Sequence, residues 1–382
     1  KLTFIIFESE RSKLNDLYTA AKFFDININD KIEVKYFRQL WLHKQFMRVI
    51  NKFVKSEFLL YYLSGLHFAL KNNVLKDDIL WTGDNDFENT NIYVKYIKKN
   101  FDNFLIRTYK ETRFRIDNIE KNSLVYPDLL VLPNHSYFNF FKELYNLNLE
   151  DKTILADLDW RYSGNVEYLN NLNSKKLSEK DGKFHICILA GRIIWDRNEK
   201  RSANRYYYVD TIEKLVKLGA IVHIHALSIV RSGDNPVYEK NNPYEELVKT
   251  GQVFIEDMNL YPGAKDYEVL KSYDAGLLHP LIDDTEDNNA VKRFQEINIP
   301  NRFYEYTMAN VMPLIEKGAG YEMEKLINDN DFGIIYDSDE DLKMKISNIK
   351  EKQKINDFSF DQLLSKIVEH LDIKIKIKRE NK

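Results

Sequence analysis

A single cysteine, Cys187, stands in the 382 residues. No intrachain disulfide can form, and zinc sites built on two to four thiolates are excluded. Nothing therefore points to an oxidising compartment. No segment approaches the roughly 18 uninterrupted apolar residues of a membrane span. The run Leu2–Phe7 stops at Glu8, is shorter than the apolar region of a secretory signal, and reads as a buried first strand. The chain is expected in the cytoplasm. A basic excess is also missing. Lys and Arg number 56 against 59 Asp and Glu, for a formal charge of -3, so a dedicated nucleic-acid binder is not expected. There is no low-complexity tract and no short-period repeat.

What is present is ordinary globular material, 44% hydrophobic and 30% charged, enough for two sizeable cores at roughly 150 residues per domain. Short β-branched runs alternate with longer helical patterns. Leu2–Phe7, Lys31–Phe37, Ile79–Trp81, Phe104–Tyr109 and Leu129–Leu132 read as strands, with helices expected over Ser12–Phe24, Trp41–Leu70 and Thr90–Asn100. This βα rhythm predicts a parallel sheet covered by helices on both faces. The Asn-, Ser- and Lys-rich stretch Asn165–Lys183 breaks it and reads as a linker. The rhythm then resumes. Phe184–Ala190, Ala220–His225, Gln252–Ile255, Ala275–His279, Met312–Ile315 and Gly333–Tyr336 read as strands. Helices are expected at Tyr207–Leu218, Tyr244–Lys249, Asp266–Tyr273, Asn301–Ala309 and Glu322–Asn328. The expected fold is α/β, with two Rossmann-like doubly wound domains facing a cleft. Residues 1–164 form one domain, 165–183 the linker, 184–355 the second domain, and 356–382 a last helix and basic tail that crosses back toward the first.

The chemistry concentrates in Ile299–Ile315. Pro300 opens a helix, where its fixed φ is favourable. Asn301, Arg302, Glu305 and Tyr306 follow, Asn310 suits a left-handed helix end, and Met312–Ile315 is an apolar strand. A second stretch, Ile186–Arg201, ends a strand at Gly191–Arg192 and carries Arg197, Lys200 and Arg201. Several cations at one strand end suit a diphosphate, because they stabilise negative charge on a leaving phosphate. His279 closes a third strand, where sites in such sheets tend to form.

The Pro300–Ile315 stretch resembles the P-N-K-x-x-E-Y signature in the C-terminal domain of GT-B glycosyltransferases of the broad family 4 group. Pro300, Asn301, Glu305 and Tyr306 match it, with Arg302 at the usual Lys. The resemblance covers about residues 184–340 and is only architectural before residue 165. It implies that Glu305 grips the ribose hydroxyls of a nucleotide-sugar, as one carboxylate can accept from two adjacent hydroxyls. It further implies that Gly191 and Arg192, with Lys200 or Arg197, hold the donor diphosphate, Arg192 and Lys200 being catalytic. Met258, Asn259 and Tyr261 are expected at the nucleotide base, and Asn301, Arg302 and His279 near the donor. Many family members carry a second glutamate upstream, with seven residues between the two. Here that position is Ile297, with Glu296 one residue off.

The expected reaction moves a sugar from a nucleotide-diphospho-sugar to a glycan, lipid-linked or protein acceptor, with retention and without cofactor or metal. The alternatives are a GT-B sugar-nucleotide epimerase and a non-catalytic nucleotide-binding partner of another glycosyltransferase. Lys35–Lys55 holds six Lys and Arg and no acid, with Lys44, Arg48, Lys52 and Lys55 at helical spacing. It fits either an anionic membrane surface or a helix packed on the sheet. His223 and His225 share one face of a strand and read as core rather than metal ligands. Asp157, Asp159, Trp160 and Arg161 form a cluster near the domain boundary. The acidic run Asp283, Asp284, Glu286, Asp287 reads as a solvated loop.

Overall fold

The computed structural model describes residues 2–7, 32–37, 79–82, 104–109, 118–157, 174–196, 205–226, 229–230, 242–256, 264–282, 289–348 and 362–371. The expected helices over Ser12–Phe24, Trp41–Leu70 and Thr90–Asn100 lie outside these residues, as do the basic stripe Lys44–Lys55, the Asp159–Arg161 cluster and the acidic run after Ile282. Two compact units form: Lys1–Leu132 with Phe138–Leu155, and Pro133–Tyr137 with Ala156–Lys382.

In the first unit, β1 (Leu2–Phe7) pairs in parallel with β2 (Ile32–Phe37). A parallel four-stranded sheet follows in sequence order, β3 (Ile79–Thr82), β4 (Phe104–Thr108), β5 (Leu129–Leu132) and β6 (Thr153–Leu155). All four residues of β5 are buried, as expected for a strand covered on both faces. β6 was not expected. The Glu120 carboxylate accepts hydrogen bonds from Tyr109 and Tyr145, which secures the Asn118–Val125 and His135–Tyr145 helices to this core.

The second unit contains β7 (His185–Ala190), β8 (Ile193–Ile194), β9 (Ile221–Ala226), β10 (Ile229–Val230), β11 (Val253–Glu256), β12 (Ala275–Leu277), β13 (Met312–Glu316) and β14 (Ile334–Tyr336). Six of them make one parallel sheet in the order β11-β9-β7-β12-β13-β14. β8 and β10 form a separate parallel pair. Numbered within the sheet, this is the 3-2-1-4-5-6 order of the Rossmann arrangement. Alternate residues of β7 and β9 feed two cores. Ile186, Ile188, Val222 and Ile224 pack with the Val209–Lys217 helix on one side. Cys187 packs with Leu270, Tyr273, Phe303 and Tyr306 on the other.

The fold class is as expected, α/β with parallel sheets in both units. The linker differs. Residues 174–183 are built into the second unit. The Lys176 ammonium donates to the carbonyls of Tyr273 and Asn310, at 2.6 and 3.1 Å. The Leu177 N–H donates to Ser272 O, and Ser178 donates to Asp274. Polar side chains that read as a flexible connector act here as fasteners on backbone carbonyls.

Candidate functional site

In the 3-2-1-4-5-6 order, chain direction across the sheet reverses between β7 and β12, and a crevice opens beyond the carboxyl ends of these strands. The Asn301–Met308 helix meets that point. Pro300 caps its start with extended backbone, and Asn310 ends it at φ 55°, the left-handed conformation expected of it. Tyr306 is fully buried. Its hydroxyl accepts the N–H of Leu189 at 2.9 Å and donates to Leu277 O at 3.2 Å, so this one phenol joins the ends of the two strands that flank the reversal.

Arg302, one turn earlier on the helix, is also buried. Its Nη1 donates to Leu189 O at 2.7 Å and its Nη2 reaches Nδ1 of His279 at 2.9 Å. Guanidinium has no acceptor, so Nδ1 must be bare and the imidazole proton sits on Nε2. That Nε2 faces Nη2 of Arg205 at 3.4 Å, donor against donor. Nε of Arg205 is buried and has no acceptor among the described residues. Burial, reinforced by the charges of Arg302 and Arg205, holds His279 well below the usual histidine range. Burial also draws the Arg205 value down.

Aromatic rings, not carboxylates, pack these cations. The Arg205 guanidinium lies 4.6 Å from the Phe294 ring centre and 5.5 Å from that of Tyr206. Arg192 approaches the same Tyr206 ring at 5.4 Å, and Arg302 lies 5.8 Å from Tyr208. The Tyr208 hydroxyl donates to Leu278 O, which braces the segment that carries His279. Among the described residues no Asp or Glu pairs with Arg205 or Arg302. The buried Arg302, the half-buried Arg205 and an imidazole N–H thus converge with donors in excess among the described residues, an arrangement that calls for an anion with several acceptor oxygens.

Of the residues expected at the site, Arg192, His279 and Arg302 come together here. Gly191 is exposed beside Arg192, Asn301 is exposed at the helix start, and Glu305 is half-buried one turn beyond it. Lys200, Arg197, Met258, Asn259 and Tyr261 lie outside the described residues. Arg205 and Tyr206 were missed. The sequence signal was the run Arg205-Tyr206-Tyr207-Tyr208 directly after the basic loop, where cations and rings alternate with the next strand contacts. Asp157 is fully buried and accepts from Tyr304 at 3.0 Å.

No protein-family profile matches the chain, and no curated protein matches it. Among solved structures it is similar to the N-terminal domain of Candida albicans trehalose-6-phosphate phosphatase, at 11% identity and TM-score 0.49, over 91% of this chain and 81% of that one. It is similar to α,α-trehalose 6-phosphate synthase of Burkholderia multivorans, at 9% identity and TM-score 0.48, over 86% and 78%. It is also similar to UDP-GlcNAc 2-epimerase of Methanocaldococcus jannaschii, solved with UDP-GlcNAc and UDP, at 14% identity and TM-score 0.45, over 97% and 99%. The fold class itself stands on the parallel sheets and their strand order.

Proposed function

We propose that this chain is a glycosyltransferase that uses a nucleotide-diphospho-sugar as donor. The observation that carries the reading is the donor cluster of Arg302, Arg205 and His279 at the strand-order reversal, which has no carboxylate partner among the described residues. A diphosphate supplies the missing acceptors and negative charge. Arg192, Arg205 and Arg302 balance that charge as it grows on the leaving group, the work a divalent cation does in other enzymes. The His279 N–H donates to a phosphate oxygen. Glu305, in the Pro300–Tyr306 signature, accepts from the ribose hydroxyls. Transfer proceeds with retention, without a bound metal, to a glycan, lipid-linked or protein acceptor.

Calorimetric titration with UDP, GDP, ADP and CMP and their sugars tests the reading. At least one nucleoside diphosphate should bind, and Arg205→Met should weaken it by about 1.5–3 kcal/mol, the range for a hydrogen bond to a charged group. Incubation of the preferred donor with and without acceptor then separates transfer from epimerisation. Absence of binding by every nucleotide, or Arg205→Met binding as tightly as the parent, sinks it.

A further inference from the structure

At the opposite end of β7 from the arginine cluster, four titratable side chains form a continuous chain. Asp181, at the end of the short Ser178–Asp181 helix, meets Nε2 of His185 at 3.1 Å through Oδ1 and 3.2 Å through Oδ2. Nδ1 of His185 meets Nε2 of His223 at 3.0 Å. Nδ1 of His223 meets Oε1 of Glu256 at 3.1 Å. His185 opens β7, His223 lies within β9, and Glu256 ends β11, the edge strand of the sheet. The chain therefore crosses three neighbouring strands.

The protons can be counted. Three contacts link four groups, and each contact needs one proton between its two heavy atoms. Two neutral imidazoles between two carboxylates supply two protons and leave one contact as acceptor against acceptor. Four protons leave one contact as donor against donor. Only three satisfy every link. In that state His185 is an imidazolium that donates to Asp181 and to His223, while neutral His223 donates to Glu256. Burial keeps a second positive charge off His223, against the pull of Glu256, and the His185 charge acts in the same direction.

Rings and charged groups surround the relay. Tyr273 lies over the His223 ring with centres 4.7 Å apart, and Phe254 of β11 stacks on it at 5.3 Å. The Asp274 carboxylate accepts the His185 N–H at 2.7 Å and brings a further negative charge to its side. Cys187 of β7 is in register with His223. Its thiol stays protonated, because burial raises it far above the ordinary range. His225, two residues along β9, is engaged with the Tyr273 hydroxyl at 2.8 Å and is held neutral by burial, at about 4. Of the nearby ammonium groups, Lys183 lies beside Asp181 and helps hold its carboxyl below the ordinary range, while Lys176 bonds to backbone carbonyls and is drawn down by burial.

We propose that Asp181, His185, His223 and Glu256 are a pH-linked clamp, in which one shared proton ties the edge strand β11 to β7 and to the Ser178–Asp181 helix. Loss of that proton to solvent through the half-exposed Asp181 end opens the link between the two imidazoles and loosens β11. The clamp is independent of the nucleotide reading and concerns the edge of the sheet alone.

Amide hydrogen exchange of Val253–Glu256 in the full chain, corrected for intrinsic base catalysis, reads the clamp. Protection should fall by roughly fivefold as the pH rises from about 6 to about 9, the loss of one ordinary hydrogen bond. His223→Gln can bridge its neighbours but cannot take up the proton, so protection should become independent of pH. A wild-type profile that is flat with pH, or one that keeps its pH dependence in His223→Gln, overturns the proposal. Should the variant not fold, nitrogen chemical shifts of the wild-type rings decide. His185 and His223 must titrate as a coupled pair that holds one proton over a wide range. Two independent, fully completed titrations near the ordinary histidine value would refute the clamp.

Discussion

The ring of Tyr306 occupies the space where a side chain at Gly276 would begin. A methyl group placed on Gly276 would lie 2.5 Å from three ring atoms. Gly276 sits in β12, in register with Cys187 of β7 and Pro313 of β13. Glycine at this position is thus what lets the phenol pass the strand and reach Leu189 and Leu277.

Gly276→Ala must displace a ring that is buried and pinned by its hydroxyl. Overpacking of this kind costs about 1–3 kcal/mol. Urea unfolding should show a lower midpoint with an unchanged slope. A midpoint equal to the parent's would mean that the ring has room to move.

Tyr306→Phe keeps the ring and removes the hydroxyl. The Leu189 N–H loses its acceptor and Leu277 O loses a donor, a loss of about 1–3 kcal/mol for polar groups left unpaired. Because these atoms lie beside the arginine cluster, nucleotide affinity should drop in the same variant. Retained stability would show that water replaces the phenol.

Glu305→Ala tests the ribose contact separately from the phosphates. Nucleoside diphosphate binding should weaken by about 1.5–3 kcal/mol, while binding of inorganic pyrophosphate, which has no ribose, should not change. Equal losses for both ligands would reassign Glu305 to the support of the cluster.

Acid should destabilise the protein through His225 and His279. Both have folded-state values below the usual histidine figure, His225 at about 4. Below the unfolded value of about 6.5 the unfolded chain binds a proton that the folded chain refuses, so stability falls as pH falls. Each such histidine contributes about 1.4 kcal/mol per pH unit, and for His225 the loss continues down to about 4. Urea midpoints measured between pH 7 and 5 should fall in the parent and fall less in His225→Gln. A variant with an unaltered slope would remove His225 from this account.

Full transfer activity in the presence of EDTA is expected, because guanidinium groups balance the diphosphate charge. A strict requirement for a divalent cation would count against the mechanism.

The six strands of the main sheet in the second unit were legible as short apolar runs, mostly buried apart from Phe254 and Ile255 of the edge strand β11, whereas the two-residue strands β8 and β10 were not. Ile186, Ile188, Val222, Ile224, Leu314 and Ile334 belong to such runs and are all buried. The Asn289–Ile297 and Asp339–Ser347 helices were not legible. The second had local signals that went unread, with Ser338 capping its start and Lys345 paired with Asp341 one turn away. Within Asn165–Lys183, composition reports solvation and not the carbonyl partner that Lys176 finds about a hundred residues later. The same distance problem hid the core of the site. His279 and Arg302 stood in recognisable places, but Arg205 acquires its meaning only from a histidine 74 residues away. No local pattern announces that encounter. The histidine relay was half seen, since His223 and His225 mark one strand face while His185 and Glu256 join them only through the sheet register.

The guanidinium groups of buried Arg302 and half-buried Arg205 find no carboxylate among the described residues, and an unpaired charge in such a place is costly. The missing acceptors are, in effect, a part of the structure that the gene does not encode and the cell must provide. An anion that binds only the folded chain supplies that part and shifts the folding equilibrium by mass action. The melting temperature and the lifetime against proteases should then follow the abundance of the bound anion, so that the amount of this protein in a cell becomes a gauge of the supply of that anion.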